Sequence, residues 1–82
     1  MNITTINDPV ALAATFAGGQ IQPVHFDWRN RRYRIDAVNG RWTDRQRDAP
    51  QQHFSVQAGE ETFFLHLDTA ATQWWLDQVI TE

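Results

Sequence analysis

The sequence predicts an α+β domain: a four- to five-stranded antiparallel sheet made of two hairpins, able to curl toward a barrel, packed by a C-terminal helix and preceded by a short N-terminal helix. Three observations carry that expectation. Apolar and polar residues alternate over several short stretches between residues 21 and 68, the period of half-buried strands. Near each end of the chain, a side chain suited to capping a helix precedes closely spaced apolar residues. Finally, 82 residues are too few for two independent cores, so residues 1–82 are expected to form a single domain.

The elements follow in order. Asn7-Asp8-Pro9 places a capping side chain before a proline suited to a first helical turn, and Gly18-Gly19 stops the run that begins at Val10. A helix over 9–17 is therefore expected, with Val10, Leu12, Ala13, Phe16 and Ala17 needing cover. From Ile21 to Trp28, Val24, Phe26 and Trp28 share one face while His25 and Asp27 share the other. Arg29-Asn30-Arg31 turns the chain, and Arg32 to Val38 returns with Tyr33, Ile35 and Ala37 opposite Arg32, Arg34 and Asp36. Asn39-Gly40 favours a turn or bulge with positive φ, after which Arg41-Trp42-Thr43 resumes the strand or begins a crossing. Residues 44–52 are polar, contain a proline and read as an exposed loop. A second hairpin pairs His53–Ala58 with Thr62–Asp68 around Gly59, turning Phe54, Val56, Phe63, Leu65 and Leu67 inward. Asp68 or Thr69 then caps a helix over 69–80, whose stripe of Ala71, Trp75, Leu76, Val79 and Ile80 closes the open face of the sheet. The sheet itself occupies 21–68.

Composition narrows the function classes. Cysteine is absent, which excludes disulfides and thiolate metal sites and fits an intracellular compartment. No basic-then-apolar leader and no long apolar run is present, so the expectation is a cytoplasmic protein without a membrane partner. The four Trp, five Phe and one Tyr are claimed first by the core, which has no other staple. All seven basic residues are arginines between Arg29 and Arg47. Residues 29–47 therefore carry +5 and the remainder −8, a bipolar distribution.

The arginine block is the sharpest chemical feature. Arg29, Arg31, Arg32 and Arg34 on the first hairpin, with Arg41 and Arg45 beyond it and Arg47 further on, offer planar donors that grip phosphate oxygens in pairs. Interleaved aromatics suit unpaired bases, although Trp28 and Tyr33 fall on the core-facing parity. The competing and commoner arrangement pairs these arginines with Asp27, Asp36, Asp44 or Asp48 on a solvated face. His25, His53 and His66 share outward parity, but separations of 28 and 13 residues match no local metal motif, so neither a metal nor another cofactor is assigned. On a helix, Trp74 and Trp75 lie about 100° apart, which leaves Trp74 near the surface as an anchor for a partner chain or a homodimer, or as a cap on the core's edge. No nucleophile elbow or glycine-rich phosphate loop occurs, and Glu60-Glu61 reads as a solvated turn. No catalytic residues and no enzymatic activity are therefore expected.

The run Pro23-Val24-His25-Phe26-Asp27-Trp28-Arg29-Asn30-Arg31-Arg32-Tyr33-Arg34-Ile35, followed by Val38, Arg41-Trp42, Phe54-Ser55-Val56 and Trp75-Leu76, resembles a small bacterial family of unknown function. Its members are short β-rich domains, found alone or appended to proteins of the Y-family-like mutagenic polymerase system. The resemblance spans roughly residues 21 to 80 and leaves the first twenty unmatched. Where the family tends to place a glycine between the arginines, this chain has Asn30, which also tolerates positive φ. The resemblance implies a DNA-repair setting and transfers no activity. The expected function is an accessory binding module contacting nucleic acid or a DNA-repair protein through the arginine hairpin. Its rival is a protein-interaction or homodimerisation domain using Trp74 and the last helix.

Overall fold

The computed structural model describes residues 1–45 and 49–82, which form seven strands and no helix. These are β1 (Asn2–Ala17), β2 (Gln20–Trp28), β3 (Arg31–Arg34), β4 (Ala37–Asp44), β5 (Gln51–Ala58), β6 (Glu61–Asp68) and β7 (Gln73–Thr81). All neighbours are antiparallel, in the order β3-β2-β1-β7-β6-β5-β4. The fold is therefore all-β, and the α+β expectation is corrected at both ends.

The N-terminal helix expected over 9–17 is the second half of β1. Its alanines favour a helix locally, but pairing with β2 overrides that preference. Residues 2–10 pair with β7 and residues 11–17 with β2, so one long strand passes from one neighbour to the other. The capping signal has a different use. Asn7 adopts φ 56° at a bulge opposite β7, and the Asp8 carboxylate accepts a 2.8 Å hydrogen bond from the Trp28 indole. Pro9 lacks an N–H and lies outside the stretch paired with β2. Gly18 and Gly19, at φ 58° and 76°, form the β1–β2 turn instead of a helix stop.

The C-terminal helix expected over 69–80 is β7, preceded by a turn. Asp68 does cap: its Oδ1 accepts from the Ala70 and Ala71 amides at 3.1 and 3.3 Å. The turn ends at Thr72, whose φ of 53° stops any helical propagation, and the chain re-enters the sheet between β6 and β1. Trp74 and Trp75 thus point to opposite faces, the reverse of the helical reading. Trp74 packs inward, 5.4 Å from the Phe54 ring, and Trp75 faces out.

The hairpins between residues 21 and 68 match their sequence reading more closely. Phe54, Val56, Phe63, Leu65 and Leu67 are buried as expected, as are Phe26, Leu76, Val79 and Val10. Val24 is not. It is the extra residue of a bulge on β2 opposite Ala13 and Ala14, which turns it outward and brings Pro23 inward. Asn39 is the bulge residue between β4 and β5, though neither it nor Gly40 has positive φ.

Strands β3 and β4 lie at opposite edges of the strand order, yet only Ile35 and Asp36 separate them in sequence. The sheet is therefore curled until its edges approach. Ile35 N donates to Val24 O at 2.9 Å and Asp36 N to Gln57 O at 2.8 Å, tying the β2 side to the β5 side. Farther along the same seam, the Arg41 guanidinium on β4 donates to Ile21 O and to the Gln22 side chain on β2. Inside, Phe26, Tyr33 and Phe63 meet with ring centroids 5.1 to 5.2 Å apart, joining β2 and β3 to β6 across the interior. No helix among the described residues is long and apolar enough to cross a membrane.

Candidate functional site

The β2–β3 hairpin gathers four of the seven arginines singled out in the sequence. The turn residues Arg29 and Asn30 have φ 53° and 62°, the signs of a type I′ turn, which matches the right-handed twist of its strands. Register then places Trp28 opposite Arg31, Asp27 opposite Arg32, Phe26 opposite Tyr33 and His25 opposite Arg34. At the tip, the Arg29 guanidinium lies 4.3 Å from the Trp28 ring centroid and that of Arg31 lies 5.0 Å from the Tyr33 ring. Trp28 and Tyr33 are thus half-buried against the core, as their parity implied, and also serve as floors for two cations.

Arg32 is committed. It donates to both Asp27 oxygens at 2.9 and 3.3 Å, and that hydrogen bond holds the Asp27 carboxyl below the usual carboxylate range. Arg29, Arg31 and Arg34 are exposed and form no ion pair with a described carboxylate. Arg31, Arg32 and Arg34 form one wall of an open groove of about 570 Å³ whose other side carries Asp36, Glu60, Glu61 and Glu82.

Arg41 is not part of this surface. It belongs to the β4–β2 seam and lies over the Phe54 ring at 5.6 Å, which makes it a latch on the fold. Arg45 is exposed beyond the end of β4, and Arg47, like Asp48, lies outside the described residues. Trp74 is half-buried, packed against the core beside Phe54.

A second constellation sits on the outer face of β4–β7. Register aligns Trp42, His53, His66 and Trp75 in one row across four strands. Trp42 stacks on His53 at 5.3 Å and 8°, His53 meets His66 at 5.2 Å and 31°, and His66 stacks on Trp75 at 6.3 Å and 10°. Asp77 reaches the row because it is the extra residue of a bulge on β7. Its carboxylate accepts from His66 Nδ1 at 2.7 and 2.9 Å and lies 3.9 Å from His53 Nδ1. Burial, reinforced by the neighbouring His66, pushes the His53 imidazole below its ordinary pKa and favours its neutral form. His25 takes no part. It lies on β2 between Ala13 and Arg34, and its buried Nδ1 has no partner among the described residues.

The sequence held half of this row. The sequence put His53 and His66 on the outward parity of paired strands, and the two-residue Gly59-Glu60 turn sets them opposite each other. Asp77 and Trp75 were hidden by the helical reading of residues 69–80.

No protein-family model, curated protein or solved structure matches this chain.

Proposed function

We propose that this chain is a binding module whose β2–β3 hairpin grips a polyanion, with nucleic acid the partner that its chemistry fits. The observation that carries the reading is Arg29. A type I′ turn favours Asn or Gly at that position, and a left-handed backbone disfavours any other side chain by roughly 1 kcal/mol. An arginine there, at φ 53° and laid on Trp28, is a costly way to build a turn and an effective way to hold a cation at its tip. Stacking fixes the guanidinium plane while its N–H edges stay exposed, so little freedom is lost when a phosphate docks. Arg31 repeats the arrangement on Tyr33, and Arg34 adds a third cation on the outer face. A DNA-repair setting rests on the sequence resemblance alone.

The test is fluorescence anisotropy with labelled single-stranded and duplex oligonucleotides at two salt concentrations. The unmodified protein is expected to bind one of them with an affinity that falls steeply as salt rises. The triple variant Arg29→Asn, Arg31→Gln, Arg34→Gln should lose at least tenfold in affinity and show a shallower salt dependence. Equal affinity in the triple variant, or no binding by the parent at low salt, would overturn the assignment.

A further inference from the structure

We propose that the His53–His66–Asp77 cluster is a binding site for a divalent transition-metal ion of the zinc type. The donor atoms of these three side chains lie within 4.8 Å of one another, one from each of the adjacent strands β5, β6 and β7. Two imidazoles and a carboxylate are the donor set that borderline ions such as Zn²⁺, Co²⁺ and Ni²⁺ take, whereas Ca²⁺ and Mg²⁺ prefer oxygen alone.

Small movements convert the hydrogen-bonded pair into a coordination set. Tetrahedral zinc with bonds of about 2.0 to 2.1 Å separates its donors by roughly 3.3 Å. His66 Nδ1 and the Asp77 carboxylate would open from 2.7 Å, and His53 Nδ1 would close from 3.9 Å, movements that small side-chain rotations supply. The ring planes are already held. Trp42 lies nearly parallel to His53 on one side and Trp75 nearly parallel to His66 on the other, so little rotamer entropy is left to lose on binding. His66 now donates its Nδ1 proton to Asp77. Metal coordination there moves that proton to Nε2 or releases it to solvent, leaving the Nδ1 lone pair for the ion.

The surroundings favour a cation. A groove of about 300 Å³ opens directly onto the two imidazoles and is lined by Asp44, Asp68, Gln51 and Trp75. Asp77 lies outside that lining, and the Asp68 carboxylate within it adds a negative field beside the imidazoles. The four arginines of the β2–β3 hairpin are absent from its lining.

The experiment is calorimetric titration of zinc chloride into the chelator-treated 82-residue protein, with indole fluorescence followed in parallel under Ni²⁺. One ion per chain is expected, with Ni²⁺ quenching through Trp42 and Trp75. Asp77→Asn should weaken binding at least tenfold. His53→Phe and His66→Phe, which keep a ring in the stack, should weaken it more, and His25→Ala should leave it unchanged. If a Phe variant fails to fold, Asp77→Asn carries the test, with its fold checked by circular dichroism. The absence of saturable binding up to millimolar zinc would overturn the proposal. Binding that any folded variant of the three donors leaves undiminished would do the same.

Discussion

Arg29 and Asp68 show how single side chains set the local structure in this chain. Arg29 stands where the backbone is left-handed, and its compensation is the Trp28 ring 4.3 Å beneath its guanidinium. Replacement by Asn removes both the strain and the cation–π contact, each worth about 1 kcal/mol at an exposed site. Arg29→Asn is therefore expected to unfold in urea within about 1 kcal/mol of the parent, while its oligonucleotide affinity falls roughly three- to tenfold. Asp68 holds the β6–β7 turn through the Ala71 and Ala70 amides, and the Ala71 bond in particular holds its carboxyl below the usual range. A carboxyl whose folded pKa is depressed adds stability above its unfolded pKa, and that stability is lost as pH falls through the folded value. In thermal melts, the stability difference between the parent and Asp68→Asn should be full at neutral pH and shrink through the acidic carboxylate range. A difference independent of pH would contradict this role.

At the level of elements, the two tryptophans of β7 separate strand from helix. Trp74 packs against the Phe54 side of the core and Trp75 stacks on His66 outside. Trp74→Ala should cost about 3 kcal/mol in chemical unfolding, near the lower end for large core side chains, and Trp75→Ala about half that. The reverse order would favour the helical arrangement. The same segment shows what was legible in the sequence. Strands between 21 and 68 announce themselves by alternation, but both hairpin turns are one residue tighter than expected, since Arg31 and Glu61 already belong to strands. Residues 9–17 and 69–80 do not announce themselves as strands, because real local signals led elsewhere. Asn7 and Asp68 both have capping chemistry, yet one shapes a bulge and the other a turn. The alanines of β1 prefer helix by themselves, and only pairing with β2 reverses that preference. The bulges at Val24 and Asp77 break strict alternation, so they were invisible to a period-two reading, whereas Asn39-Gly40 signalled a turn or bulge where β4 has one. The arginine hairpin was legible as a charged turn. The metal cluster was not, because one of its three donors lies in a misread element.

The whole molecule is a curled sheet whose chemistry divides between two surfaces. Four arginines stand on the β2–β3 hairpin, while the outer face of β4–β7 carries the imidazole pair with Asp44, Asp68 and Asp77 around it. The +5 of residues 29–47 is not delivered as one patch, since Arg41 closes the β4–β2 seam and Arg32 is held by Asp27. What remains for a polyanion is a small, directed surface at the hairpin tip, with the acidic outer face on separate strands. An attraction so localised steers an anionic partner to one end of a net-negative protein. The most direct measurement is an amide and indole NMR shift map recorded while a single-stranded oligonucleotide is added at low salt. The account predicts that the amides of residues 27–34 and the Trp28 indole move first and furthest, with the Trp42 and Trp75 indoles still. Shifts centred on Trp42 and Trp75, or none at all, would contradict it.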